Sequence, residues 1–343
     1  MFILDIFLNY ALYSTCCVYA TSQGNLLGSL SFALFGWWMG ALGHDAGHFA
    51  VSHSNPAINE LCVWGMSLLC NPVMWQHQHT YAHHSHTNHI DHDPDLHHFT
   101  KLLRVHRRFT LESNSLYMYQ RNPIYVIFAY TLVVFGTCLW IPLNFVLEQS
   151  LYGMADFTDG KRSKFRQLVA ALHGFFYLGV VFLAPIISCI NTVENKTITS
   201  LRLAFMHGLC CAVLHIATSG LMFAFFSQIN HLNEKSMLLE HITTQQSKAS
   251  LFKDSWAVSQ IETSNNFCAS SGFWHIMSNG LNLQIEHHLF PSVNHCHLHI
   301  IQPVVEQTCK EFNVQYKSYS TWSEILQATF AWLDQLSRQE ELH

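Results

Sequence analysis

Charge is what this chain has least of. Only 11% of its 343 residues are Asp, Glu, Lys or Arg, while 50% are hydrophobic; an ordinary soluble domain carries about 25% charged residues. A chain so poor in charge faces lipid over much of its surface. No Lys or Arg occurs before residue 101. The net charge of −5 leaves no electrostatic footprint for nucleic acid. Eleven cysteines include no CxxC pair, which argues against a zinc ribbon or a disulfide framework. Cys16–Cys17 and Cys210–Cys211 lie in apolar stretches and read as small packing residues. Also missing are an internal repeat, a low-complexity linker, a haem signature, a four-cysteine iron–sulfur spacing and a Gly-rich dinucleotide turn after a strand.

The charges that exist are unevenly placed. Asn25 to Gly43, Pro123 to Leu147, Leu168 to Thr192 and Leu203 to Asn230 carry none, and each is close to or above the roughly 20 residues that cross a bilayer. Met1 to Ala20 is a fifth apolar stretch, with Asp5 near its end. It lacks a cationic start and a small-residue cleavage pattern, so it reads as a retained helix. Lys101 to Arg121 holds five basic residues and Lys161 to Arg166 holds four, which places both stretches in the cytosol. The histidine clusters described next can meet only if an even number of crossings separates them. Of the three apolar stretches between the second and third clusters, Pro123–Leu147 has both flanks on the basic side, so it is expected to lie along the interface. The expectation is a single all-α integral membrane domain over 1–343. It has four transmembrane helices at about 1–20, 25–43, 168–192 and 203–230, and a cytosolic helical cap from 44–121 and 231–343.

Twenty-five histidines are the anomaly. His44 and His48 are four apart, one helical turn, directly after an apolar segment; taken alone, a structural or capping role is equally compatible. His79, His83 and His84 follow at i, i+4 and i+5, with Asp91, Asp93 and Asp95 downstream. Those acids are suited to orient imidazoles by accepting their second N–H, while His77, His86, His89 and His92 read as solvated loop residues. The third cluster is Gln284, His287 and His288. The three clusters supply seven histidines, too many for one metal with an open position, and two metals sharing about four nitrogens each is the economical reading. His231, where the last apolar segment ends, is the eighth candidate. His173, His207 and His215 lie within apolar segments and are less well placed. Neutral imidazoles with open positions at a membrane edge suit oxygen activation by iron.

His-Asp-Ala-Gly-His (44–48), Gln-His-Thr-Tyr-Ala-His-His (78–84) with Thr-Asn and Asp-Pro-Asp downstream, and Gln-Ile-Glu-His-His-Leu-Phe-Pro (284–291) resemble the three histidine boxes of the membrane fatty-acid desaturases. The likeness runs from about residue 25 to about 330. Gln284 at the head of the third box resembles the front-end subgroup, which places a cis double bond between an existing one and the carboxyl end of a polyunsaturated chain. The resemblance implies two iron ions held by His44, His48, His79, His83, His84, His231, His287 and His288. It implies a catalytic place for Gln284, and Glu286 stays outside the ligand set. The three residues between His79 and His83, where many relatives have two, resemble Δ4- and Δ5-type enzymes.

The resemblance further implies a fatty-acyl substrate on CoA or phospholipid, an endoplasmic reticulum membrane and an active site on the cytosolic side. The His-Pro-Gly-Gly motif of the cytochrome b5 domain common in this subgroup is absent, so electrons are expected from a separate cytochrome b5 and an NADH-dependent reductase, unless the chain is an incomplete product. Lys101, Arg104, Arg107 and Arg108, at near-helical spacing, are candidates to receive that acidic donor or to anchor at lipid headgroups. A hydroxylase or sphingolipid desaturase would use the same boxes, and product analysis separates them. A histidine-rich metal transporter would need ligands at the bilayer midplane, whereas these clusters flank the apolar segments.

Overall fold

In the computed structural model, Thr21, 23–148, 150–152, 154–156, 160–237 and 255–338 are described. The expected span Met1–Ala20 lies outside them. Four helices among the described residues are long and apolar enough to cross a membrane: α1 (Leu26–Gly47), α2 (Pro123–Glu148), α3 (Lys164–Asn191) and α4 (Ile198–Gln228). Side-chain caps set where three of them begin. Asn25 Oδ1 accepts from Gly28 N at 3.0 Å, Asn122 Oδ1 from Ile124 N at 2.9 Å and Thr197 Oγ1 from Ser200 N at 3.2 Å, each satisfying a backbone donor that the first turn leaves without a partner.

Two of these helices widen into a π-turn just before a proline. Gly136–Trp140 precedes Pro142, and Leu178–Leu183 precedes Pro185. Proline has no N–H and its ring collides with the carbonyl one turn back; a wider turn relieves the clash without breaking the helix. At two crossings only glycine fits. A Cβ on Gly43 of α1 would stand 2.6 Å from Met66 N, and one on Gly220 of α4 would stand 2.6 Å from Thr131 O of α2. These contacts lay the 3-10 turn Val63–Leu68 along α1 and bring α2 against α4.

Three of the expected spans coincide with α1, α3 and α4. The fourth long apolar helix is α2, the segment expected along the interface. Both of its flanks are tied to one stretch of the histidine-rich region. Tyr125 Oη donates to Leu102 O at 2.9 Å, and Tyr152 Oη meets His98 Nδ1 at 3.0 Å.

Over the α1 and α4 ends sits a cap of short helices with one parallel two-residue ladder, Asn266–Phe267 against Ser318–Tyr319. An aromatic cluster of Trp37, Phe226, Phe267, Trp274 and Trp322 fills the layer between helices and cap, with Trp274 stacked on Trp322 at 4.6 Å. The last helix, Trp322–Leu336, opens on a capping box of Thr321 and Glu324.

The basic stretch departs from expectation. Residues 101–114 form turns and bends, not a helix, and Arg104 is 1% exposed. Its guanidinium donates to the carbonyls of Leu336 and Arg107 at 2.6 and 2.8 Å and to that of Phe109. Arg107 lies over the Trp332 ring, and Arg108 pairs with Asp91 at 2.6 Å. The near-helical spacing of the four basic residues therefore does not make one surface patch, because the chain turns between them.

Candidate metal centre

His44 is in the last turn of α1 and His48 is its C-cap residue. His79 and His83 lie in a π-turn, Gln76–His83, and His84 follows at once. The wider pitch of a π-turn brings residues four and five apart onto one face, so all three rings point to the same region. His231 comes three residues after α4. Gln284, His287 and His288 share the short helix Gln284–Leu289. The chain enters that helix through Gly280, whose φ of +79° and close approach to His295 leave no room for a side chain.

All eight expected histidines converge. The ligand atoms of His44, His48, His79 and His287 lie within 4.8 Å of one another, and so do those of His83, His231 and His288. His84 Nε2 adjoins the first group, 3.3 Å from His79 Nε2 and 3.2 Å from His287 Nε2. His288 Nε2 is 3.2 Å from His231 Nε2, and Gln284 Nε2 is 3.0 Å from the same atom. His173, His207 and His215 are elsewhere: His173 meets Ser67 O, His207 meets Gly24 O, and His215 packs on Phe32.

Several rings are fixed from behind. His79 Nδ1 donates to Asp95 at 3.0 Å and His83 Nδ1 to Asp93 at 2.9 Å, as the downstream acids were expected to allow. His288 Nδ1 donates to Gln260 Oε1 at 2.8 Å and His231 Nδ1 to Thr263 O at 3.0 Å. A proton held on Nδ1 leaves Nε2 as a bare lone pair. His288 and His231 thus aim bare nitrogens at each other across 3.2 Å, which is repulsive unless a cation lies between them. About 3 Å is also the separation of two nitrogens at right angles around one ion at ordinary bond lengths. In addition, His48 Nε2 and Gln284 Oε1 are buried with no hydrogen-bond partner among the described residues. These residues fit transition-metal ions, and the all-nitrogen inner set disfavours a hard cation.

The electrostatics agree with ligand duty. Burial first, then neighbouring imidazoles, holds His48, His84, His287 and His288 well below the usual histidine range, so each is neutral. His83 differs: against its burial, Asp93 and Asp95 raise it to about 9. A bound cation would take that proton's place between the ring and the other nitrogens.

Sequence reasoning missed Gln260 and Thr263, which carry no motif. It also missed Asp45, whose Oδ2 accepts from Asn294 Nδ2 at 2.6 Å and His295 Nδ1 at 2.7 Å. That acid sits between the first-box histidines and ties them to the chain after the third box. A cavity of about 50 Å³ is lined by His44, His79, His83 and His231 together with polar side chains and with Leu96, Phe99, Val133, Phe223 and Leu281.

The family model for fatty acid desaturases matches residues 22–320, a range that holds every residue of this centre. The chain belongs to the fatty acid desaturase family. Among curated desaturases, it is 29% identical over 305 residues to the sn-1 linoleoyl-lipid 6-desaturase of Synechocystis, covering 87% of this chain and 76% of that one. It is 30% identical over 330 residues to the acyl-lipid (8-3)-desaturase of Physcomitrium patens, covering 93% and 62%. A probable Delta(5) fatty acid desaturase C of Dictyostelium discoideum is 25% identical, covering 86% and 59%. The chain therefore spans about three quarters of the first of these desaturases and about three fifths of the other two. No solved structure matches it.

Proposed function

We propose that this desaturase inserts a cis double bond into a polyunsaturated acyl chain on the carboxyl side of an existing one. The observation that carries this is the pair of buried nitrogen groups, four of whose rings are oriented from behind, beside a small cavity that Leu96, Phe99, Val133, Phe223 and Leu281 help to line. His44, His48, His79, His83, His84, His231, His287 and His288 would hold two iron ions, with Gln284 beside His231. Iron supplies the oxygen activation needed to remove hydrogen from an unactivated methylene. The protein's own part is positional. Asp93, Asp95, Gln260 and the Thr263 carbonyl fix the ring orientations, while Phe99, Val133, Phe223 and Leu281 hold the chain and keep water out.

Gln284 at the head of the third box supports the front-end reading. The names of the relatives spread over several positions, so the lean to Δ4 or Δ5 rests on the His79–His83 spacing alone. Their acyl-lipid names support an acyl group esterified to a membrane lipid. Expression in yeast with polyunsaturated acids fed one at a time, followed by gas chromatography of lipid and CoA fractions, tests this. A hydroxylated product, or a changed long-chain base, would replace the reading.

The endoplasmic reticulum membrane, with the histidine centre on the cytosolic side, is part of the same proposal. Tethering of both α2 flanks to residues 97–102 supports α2 lying along the cytosolic interface, with α1, α3, α4 and the first segment crossing. Asn195, exposed in the turn between α3 and α4, then faces the lumen. Protease added to sealed microsomes is expected to leave that turn intact; cleavage from outside would overturn the topology.

Two electrons per double bond must reach the iron from a separate donor, and cytochrome b5 with its NADH-dependent reductase is the proposed supply. Activity in the reconstituted system is expected to fall as salt rises, because exposed charges steer such encounters. Turnover with NADH and reductase alone would show the donor to be wrong.

A further inference from the structure

The short helix Gly272–Met277, just ahead of the third box, exposes Phe273 by 63% and Ile276 by 67%. Its depth can be read from the long helices. At 1.5 Å per residue, the 31 residues of α4 span about 46 Å, about 16 Å more than the hydrocarbon layer of about 30 Å. The excess length of α4 therefore stands clear of the layer. His207 of α4 meets the carbonyl of Gly24 at 2.7 Å, so the turn that opens α1 and the third turn of α4 share one level, and with α1 crossing the layer that level is its far edge. Trp37 stacks on Phe226 of α4 at 5.4 Å, 19 residues or about 28 Å of helical rise above His207, close to the histidine-side edge of that layer.

Trp37 is where the short helix is fastened. Its Nε1 donates to Met277 O at 2.9 Å, and Asn279 Nδ2 donates to the carbonyl of Trp37 at 2.9 Å. Trp274 turns inward onto Trp322 at 4.6 Å, which leaves Phe273 and Ile276 on the outer face. Tryptophans gather at this depth in membrane proteins because the ring suits an apolar body with a polar edge. An apolar face held at the same depth meets headgroups and the first acyl carbons, not water.

We infer that Gly272–Met277 is a lipid-inserting anchor: Phe273 and Ile276 enter the leaflet beside α1. The anchor would fix the height of the third box over the layer that supplies the acyl chain. This rests on the reading of α1 and α4 as membrane spans.

The test places a photoreactive benzoylphenylalanine at one position at a time in the full-length chain, in phosphatidylcholine nanodiscs, and detects lipid adducts by mass spectrometry. Positions 273 and 276 are expected to give lipid adduct in yield comparable with position 213, where Val213 is 54% exposed on α4. Position 81, where Tyr81 is 54% exposed on the histidine-bearing turn, is expected to give none. Adduct at 213 but not at 273 or 276 overturns the anchor and leaves the spans standing. Equal yield at 81 also overturns it, since the leaflet edge would then lie above the histidine turn. No adduct at any position overturns the anchor and the membrane reading together.

Discussion

Replacing His288 by alanine is expected to abolish desaturation and, on the proposed two-iron reading, to lower bound iron from about two per chain to about one or fewer, by the ligand count, with membrane insertion unchanged. His288 is fully buried, and its Nε2 stands among the nitrogens of the second group. Deleting the ring removes one of the three imidazoles there and opens a gap beside Gln284. Support behind the ring survives in part, because the one hydroxyl proton of Thr87 Oγ1 can go to Gln260 Oε1 at 3.0 Å or to His83 O at 2.9 Å. Loss of function should therefore trace to metal and not to misfolding. Gln260→Leu separates the two roles, since it keeps all eight histidines but removes the 2.8 Å partner of His288 Nδ1, leaving Thr87 Oγ1 at 3.3 Å. Loss of such an outer partner typically costs about 10- to 100-fold in metal affinity or activity. Iron analysis and product chromatography on the same preparations decide the matter. Full activity in His288→Ala would remove the centre as drawn.

Metal chemistry made the inner residues legible, because imidazoles at helical spacing in three places are hard to account for by packing or solvation. Asp93 and Asp95 were legible for a simpler reason: each is close in sequence to the ring it holds. Gln260 and Thr263 were not. Gln260 sits on a seven-residue helix, Trp256–Glu262, whose pattern is that of any half-buried helix, and Thr263 contributes only a carbonyl, which no side chain announces. Hydropathy shows where α1, α3 and α4 run because lipid demands unbroken apolar length. It cannot decide between crossing and interfacial placement for α2, which satisfies the same demand. The π-turn of the second box was also invisible: i, i+4 and i+5 spacing is compatible with an ordinary helix, and the wider pitch appears only with the backbone. Periodicity misleads at Lys101–Arg108, where regular spacing suggests one face of a helix and the chain is in fact folded into turns.

That departure leads to the second large effect. Arg104→Ala is expected to destabilise the cap by on the order of 3–5 kcal/mol, a size reserved for breaking buried networks. Its guanidinium holds the carbonyls of Leu336, Arg107 and Phe109, and its backbone N–H and C=O are both bonded by Gln120, at 2.8 and 3.1 Å. Gln120 in turn donates to Leu333 O at 2.6 Å. The last turn of a helix leaves carbonyls without partners and carries the negative end of its dipole; Arg104, with Arg121 on Ser337 O at 3.1 Å, satisfies that end of Trp322–Leu336. Truncating Arg104 strips donors from a site that water does not reach. Lysine keeps the charge but cannot fork to three acceptors, so Arg104→Lys should fall between alanine and the unsubstituted chain. Arg108→Ala loses only an exposed pair with Asp91, which solvent screens, so it should change stability least. Thermal inactivation in detergent, followed by retained iron and by aggregation, is expected to rank the variants in that order. An Arg104→Ala protein that unfolds like the unsubstituted chain, yet needs more cytochrome b5 for half-maximal rate, would return Arg104 to the role of a donor-docking residue.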